Sequence, residues 1–444
     1  MAALVCVSAL VSASGCGSEP ADALRGVVLV SVDTLRPDHL GAYGHPRPTS
    51  PALDQWASEG TLFEHAMSVS PWTLPAHASL LTGLYPRRHG VLTSRQRLAA
   101  TTPTLAQRFR SMGFRTAGIV NSVYLGSRFG LGRGFEEFQN LPTPGRAPSQ
   151  VVASGLAWLR TLPEDGAPFF LFLHLYDVHS DYHSLPEFER AFVGSYLGGV
   201  DGSTGQLQEV MRGERQLTPE DRGHLTDLYD AGIRQADAEL GRLGEALEAR
   251  GWLDRTIVAV TSDHGEEFLE HGGVLHARSH YDELLRIPLV LRGPGVPAGV
   301  RVERPVSIVD VMPTLLALAG AAPGDVEGLD LSVLWGASAD GASLDRDLFA
   351  QGDHGGERPD RLRSVRSPRH KLIEDVASGR RELYDLESDP AEAHEISALE
   401  PEVAAELAAR LEAFHGGAVP AAADAALPLD PESAEQLRAL GYAE

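Results

Sequence analysis

Five short, nearly unbroken apolar runs punctuate the chain: Val27–Val32, Ala117–Val120, Phe169–Leu175, Thr256–Thr261 and Ile287–Leu291. A strand that is apolar at almost every position has to be covered on both faces. Helical patterns lie between the runs. Ser50-Pro51 opens one that continues to Trp56, Leu105 to Met112 forms another before Gly113, and Glu220 to Arg250 carries apolar residues at helical spacing up to Gly251. Strands of this kind alternating with helices predict an α/β/α sandwich around a largely parallel sheet. With 444 residues, 43% of them hydrophobic, the chain can bury a large core. We expect a large unit over 26–320, a small α+β unit over 321–415 and a tail with a short helix over 416–444.

Ligands of such sheets gather at the carboxyl ends of the strands. Asp33 ends the first run, Asn121 and Ser122 the second, Asp177 and His179 the third, and Asp263-His264 the fourth. Two carboxylates and an imidazole suit one divalent cation, Mn²⁺, Zn²⁺ or Ca²⁺, with the imidazole tilting the choice away from Ca²⁺. Asn121 has the chemistry to donate to an ester oxygen, and asparagine at a strand end is also a common turn former. His174 lies inside its strand and reads as packed.

The stretch Ser70 to Gly83 reads as a loop that turns into a helix, with Thr73 as N-cap, Pro75 in the first turn and Gly83 at the end. A threonine hydroxyl there would sit at the positive end of a helix dipole, where an anionic ester is favoured. The net charge of −23 excludes a nucleic-acid partner, which needs a basic surface. Nearly all the positive charge is arginine, and Lys371 is the only lysine.

Leu81-Thr82-Gly83 and Tyr85-Pro86-Arg87-Arg88-His89-Gly90 resemble the sulfatase signature of the alkaline phosphatase superfamily. Later phrases follow in that family's order: Asp310 to Thr314, Lys371-Leu372, and Leu383-Tyr384-Asp385 leading to Asp389-Pro390. The resemblance covers roughly 26 to 395 and implies the alkaline phosphatase-like sandwich with a small C-terminal subdomain. It also implies a metal held by Asp33, Thr73, Asp263 and His264. Thr73 stands where the family's cysteine becomes formylglycine, so no formylglycine is expected, and His77 stands where the family has arginine. Thr34 replaces a second aspartate. His276 aligns with a family lysine and His179 with a histidine near the leaving group; an imidazole of unperturbed pKa about 6.5 can protonate an alkoxide. Thr73, His77, His179 and His276 are thus the implied catalytic residues, and Asn121 and Arg278 the implied substrate contacts.

A threonine ester has no second hydroxyl with which to expel its group, so release needs attack at sulfur or phosphorus. That chemistry is difficult at sulfur and accessible at phosphorus with metal-activated water. The expected function is metal-dependent hydrolysis of a sulfate or phosphate ester. The alternatives are a phosphodiesterase or phospho-group transferase acting on envelope lipids or glycans, and a non-catalytic binder. Ala2 to Ala13 is too short to span a bilayer. It runs into Ser12-Ala13-Ser14-Gly15-Cys16, which resembles a lipobox. The expectation is an exported protein whose signal and tether cover 1–25, held at the membrane only by a lipid on Cys16.

Overall fold

The computed structural model of the chain describes residues 24–142, 150–164, 166–335, 345–353 and 361–417, and isolated positions from 424 to 435. Cys16 with its lipobox, and the C-terminal helix expected near Leu437, lie outside the described residues. Among the described residues no helix is long and apolar enough to cross a membrane.

The apolar runs form the middle of a nine-stranded sheet. Its strands are β1 (Gly26–Val32), β2 (Thr61–Met67), β3 (Arg115–Val120), β4 (Glu137–Asn140), β5 (Phe169–Leu175), β6 (Thr256–Thr261), β7 (Arg286–Arg292), β8 (Val300–Val302) and β9 (Val306–Ser307). The order across the sheet is β8-β2-β7-β6-β1-β5-β3-β4, with β9 also paired to β2. From β6 to β4 every pairing is parallel, and β7 runs antiparallel to both its neighbours. Every residue of β1, β5 and β6 is buried, as their unbroken apolarity requires.

Helices cover both faces. They are α1 (Pro51–Ser58), α2 (Thr73–Thr82), α3 (Leu105–Ser111), α4 (Val151–Thr161), α5 (Pro219–Glu248) and α6 (Val311–Leu318). Val27, Leu29, Phe170 and Phe172 point to one face and pack with α2, α3 and α6. Val28, Val30, Leu171 and Leu173 point to the other and pack with α1, α4 and α5. The period of two along each strand thus divides one apolar run between two cores.

Thr73 corrects the N-cap expectation. The cap position belongs to Trp72, in extended backbone with φ −155°, and Thr73 is the first helical residue. The Trp72 ring is buried edge-on to Tyr124 at 5.4 Å, and this anchor fixes where the helix begins. Gly83 ends α2 at φ +67°, in the left-handed region that glycine enters at no steric cost.

In the C-terminal region, Ser364 to Leu386 reads as paired strands with a turn at Ser378-Gly379, and it folds as the last three strands of a four-stranded antiparallel sheet, the final two paired across that turn. The four strands are β10 (Leu348–Gln351), β11 (Leu362–Arg366), β12 (His370–Asp375) and β13 (Arg380–Asp385). Gly379 does make the last turn, at φ +72°. The amphipathic helix α7 (Pro401–Gly416) lays Leu407 and Leu411 over this sheet. Lys371 joins the sheet to the larger unit, with Nζ 2.7 Å from Asp282 and 2.8 Å from Glu392.

Candidate active site

Parallel strands end together, so β1, β6, β5 and β3 deliver their final residues to one edge of the sheet. β1 delivers Asp33, β6 delivers Ser262-Asp263-His264, β5 leads to Tyr176 and His179, and β3 leads to Asn121. Asp33, Asp263 and His264 converge there, each with one ligand atom within 4.8 Å of the others, and all three side chains are fully buried.

The hydrogen bonds fix how His264 presents itself. Its Nδ1 lies 2.9 Å from the carbonyl of Gly265, which can only accept. The proton therefore sits on Nδ1, and Nε2 turns its lone pair toward Asp263 Oδ2 at 3.3 Å and Asp33 Oδ1 at 3.7 Å. Both oxygens of Asp33, Oδ2 of Asp263 and Nε2 of His264 have no hydrogen-bond partner among the described residues. A buried group of acceptors facing one another is costly unless something positive stands among them. Burial raises the Asp33 carboxyl; burial and the neighbouring Asp33 charge likewise raise Asp263, while burial lowers His264 to about 4. Two oxygen ligands and a neutral imidazole fit a divalent cation.

Thr34, where a second aspartate stands in the resembling family, has another task. It sits at φ +58°, a strained conformation for a β-branched residue, and its amide donates to Asp263 Oδ1 at 3.3 Å. Its carbonyl accepts from the Tyr229 hydroxyl at 2.6 Å.

Thr73 is 2% exposed at the start of α2. Its carbonyl accepts from Nδ1 of His77 at 2.9 Å, and the same Nδ1 is 3.4 Å from Asp263 Oδ2. His77 Nε2 then accepts from the Ser31 hydroxyl at 3.0 Å. Both ring nitrogens of His77 are engaged, and burial lowers its pKa to about 4.

His179 and His276 lie together near these groups, their rings 4.9 Å apart and His276 4.5 Å from His264. His179 donates through Nδ1 to the Ser180 carbonyl at 2.6 Å, and its Nε2 meets the Tyr176 hydroxyl at 3.2 Å. His276 donates through Nδ1 to Glu266 at 2.9 Å. The residues flanking His276, Leu275 and Ala277, hold positive φ angles of 68° and 76°. Asn121 is buried against His174, and Arg278 is exposed on a surface pocket shared with His280, Tyr281, Arg361 and Arg380.

Sequence reasoning passed over Ser31, Glu266 and the part played by His174. Ser31 and His174 are opposite each other in the register of β1 and β5. Both interrupt strands that are otherwise apolar, on the face that packs under α2. That interruption was the available signal, because a polar side chain buried in such a strand needs a partner. His174 is buried as expected, and it also contacts the site, with Nε2 3.2 Å from Asp33 Oδ2. A second group, His39, His45 and Asp230, also has ligand-like spacing. There the carboxylate is already taken by Arg47 at 2.6 Å and His39 at 2.7 Å, which makes it an ion-pair network.

An α/β sandwich of alkaline phosphatase type, with a cation-ready group at its strand ends, is the class that fold and site define. Within that class the chain belongs to the sulfatase family, whose profile matches residues 25–321. The profile described as N-sulphoglucosamine sulphohydrolase, C-terminal, matches 270–415. The chain is 26% identical to an ulvan-active sulfatase of Formosa agariphila over 69% of its own length and 64% of that protein's. It is 23% identical to a Δ4,5-hexuronate-2-O-sulfatase of Bacteroides thetaiotaomicron over 82% and 83%, and 30% identical to arylsulfatase K of Bos taurus over 61% and 49%. The fold is also that of the phosphonate monoester hydrolase of Agrobacterium radiobacter, with TM-score 0.73 at 23% identity over 88% of this chain and 96% of that one.

Proposed function

We propose that the chain hydrolyses a sulfate or phosphate ester with one divalent cation held by Asp33, Asp263, His264 and the Thr73 hydroxyl. The observation that carries this reading is the convergence of three buried donor atoms, Asp33 Oδ1, Asp263 Oδ2 and His264 Nε2, none with a hydrogen-bond partner among the described residues. When bound, such a cation polarises the ester oxygens and lowers the pKa of a hydroxyl.

Thr73 supplies the nucleophile. Its Oγ bonds to sulfur or phosphorus, the ester oxygen leaves with the bonding pair, and the threonine proton passes to a neighbouring base. His179 and His276 handle the proton of the leaving alkoxide, and water then cleaves the threonine ester and restores the hydroxyl. The amides at the start of α2 have no partner within the helix and favour the charge of the transferred group. His77 acts here as a positioning residue, since both its nitrogens are engaged.

Relatives named for ulvan and for hexuronate support a charged glycan as the carrier of the ester. The threonine favours phosphorus over sulfur, and the structural likeness to a phosphonate monoester hydrolase is consistent with that second reading. Metal analysis of the purified protein, with parallel assays on an aryl sulfate, a phosphate monoester and a phosphodiester, tests both. Turnover that survives complete removal of divalent metal would refute the reading. Turnover confined to the aryl sulfate would refute the preference for phosphorus.

A further inference from the structure

Asn121 and Asp33 directly follow strands β3 and β1, which flank β5 with His174 near its end. The side-chain amide of Asn121 is 3.1 Å from His174 Nδ1, and His174 Nε2 is 3.2 Å from Asp33 Oδ2. All three side chains are at most 1% exposed. With the amide oxygen toward the ring, the imidazole proton is on Nδ1 and a lone pair on Nε2 faces the carboxylate. Asn121 Nδ2, His174 Nε2 and Asp33 Oδ2 then all lack a hydrogen-bond partner among the described residues.

The two ends of an amide have the same shape and are told apart by their partners. Turned end for end, the amide donates to Nδ1, the proton moves to Nε2, and Nε2 donates to Asp33 Oδ2. Three unpartnered atoms are reduced to one carbonyl oxygen, the kind of buried group tolerated most readily. A cation between His174 and Asp33 is the other way to relieve the contact. It would have only those two protein ligands, because His264 faces the opposite oxygen, Oδ1, and the three-donor group does not include His174.

We propose that Asn121 and His174 form a hydrogen-bond relay that holds Oδ2 of Asp33 and so aims Oδ1 at the cation. Both are positioning residues, and the role rests on the metal site proposed above. The relay gives Asn121 a task inside the protein in place of the substrate contact expected of it. It has the logic of outer-shell groups that orient metal ligands, whose loss typically weakens metal affinity about 10- to 100-fold.

The test is titration of the metal-stripped full chain with Mn²⁺, followed by calorimetry and by the electron paramagnetic resonance of free Mn²⁺. His174→Ala should weaken Mn²⁺ binding by about 10- to 100-fold. His174→Gln is the sharper variant, because its amide NH₂ stands in for Nε2–H and can still donate to Asp33 Oδ2, while a neutral amide is a poor ligand for Mn²⁺. The relay then requires Mn²⁺ binding in His174→Gln to stay closer to wild type than in His174→Ala, whereas a ligating His174 requires the two variants to lose binding alike. Equal loss in the two variants overturns the relay while leaving the metal site standing. A wild-type chain that binds no Mn²⁺ overturns the site and the relay with it.

Discussion

Nδ1 of His77 lies 3.4 Å from Oδ2 of Asp263, and this contact ties the helix that carries Thr73 to the strand end that carries a candidate metal ligand. The ring reaches the Thr73 carbonyl from one nitrogen and Ser31 of β1 from the other. A single imidazole thereby fixes the start of α2 against the sheet. His77→Ala should lower kcat by roughly a hundredfold, about 2.7 kcal/mol of barrier, with a smaller change in KM. Steady-state kinetics alongside circular dichroism would check this, and an unchanged kcat in a folded variant would remove the positioning role.

The interface between the two sheets rests on a buried ion cluster. Lys371 is 1% exposed and holds Asp282 and Glu392, and Arg366 adds a second contact to Asp282 at 2.7 Å. Removing one partner of a buried pair leaves uncompensated charge, typically about 3–5 kcal/mol. Lys371→Met should therefore lower stability by that order in a denaturant titration. A loss well under about 1 kcal/mol would mean that the cluster is not coupled to folding.

His271 gives a pH dependence with a definite sign. Burial opposes its charge, but the carboxylate of Glu283, 2.6 Å from Nδ1, overcomes this and holds the imidazole up to about 9. A histidine pKa raised in the folded state stabilises fully below the unfolded value of about 6.5, and the contribution is lost as pH rises through about 9. After allowance for solvent screening, the loss is about 1 kcal/mol. Melting temperature should fall between those pH values in the wild type and fall less in His271→Gln. Equal slopes in the two proteins would contradict the assignment.

Much of this was legible in the residues themselves. Unbroken apolar runs specify buried strands, four of the five parallel, and the strand-end rule then points to a short group of residues that includes Asp33, Asp263 and His264. The remainder depends on neighbours that sequence does not display. Trp72 takes the cap from Thr73 because its ring is anchored by Tyr124, a contact across fifty residues of chain. Arg278 sits two residues from His276, yet the reversed turn at Ala277, φ +76°, sends the two side chains to different surroundings. β2 escaped notice because Glu64 and His65 interrupt its apolar pattern, and it is held by pairing with β7, β8 and β9. Glu266 was invisible because its role is defined by a histidine ten residues away.

Removing a ligand tests the metal site. His264→Ala deletes the imidazole whose lone pair faces both carboxylates. Inductively coupled plasma analysis of the purified variant should show divalent metal falling well below one equivalent. Full metal content in the variant would mean that the cation sits elsewhere.

Turnover of Thr73 variants, measured on metal-loaded protein with the best ester substrate, bears most directly on the central claim. Thr73 is the first residue of α2 and Trp72 holds the cap position, so exchanging the hydroxyl should leave the helix in place. If Thr73 forms the covalent ester, Thr73→Ala should lose at least roughly a thousandfold in kcat, about 4 kcal/mol, when assayed at saturating divalent metal. Thr73→Ser should keep measurable turnover, because it retains the hydroxyl. Near-wild-type turnover in Thr73→Ala would contradict the nucleophile and leave direct attack by water as the chemistry of the site.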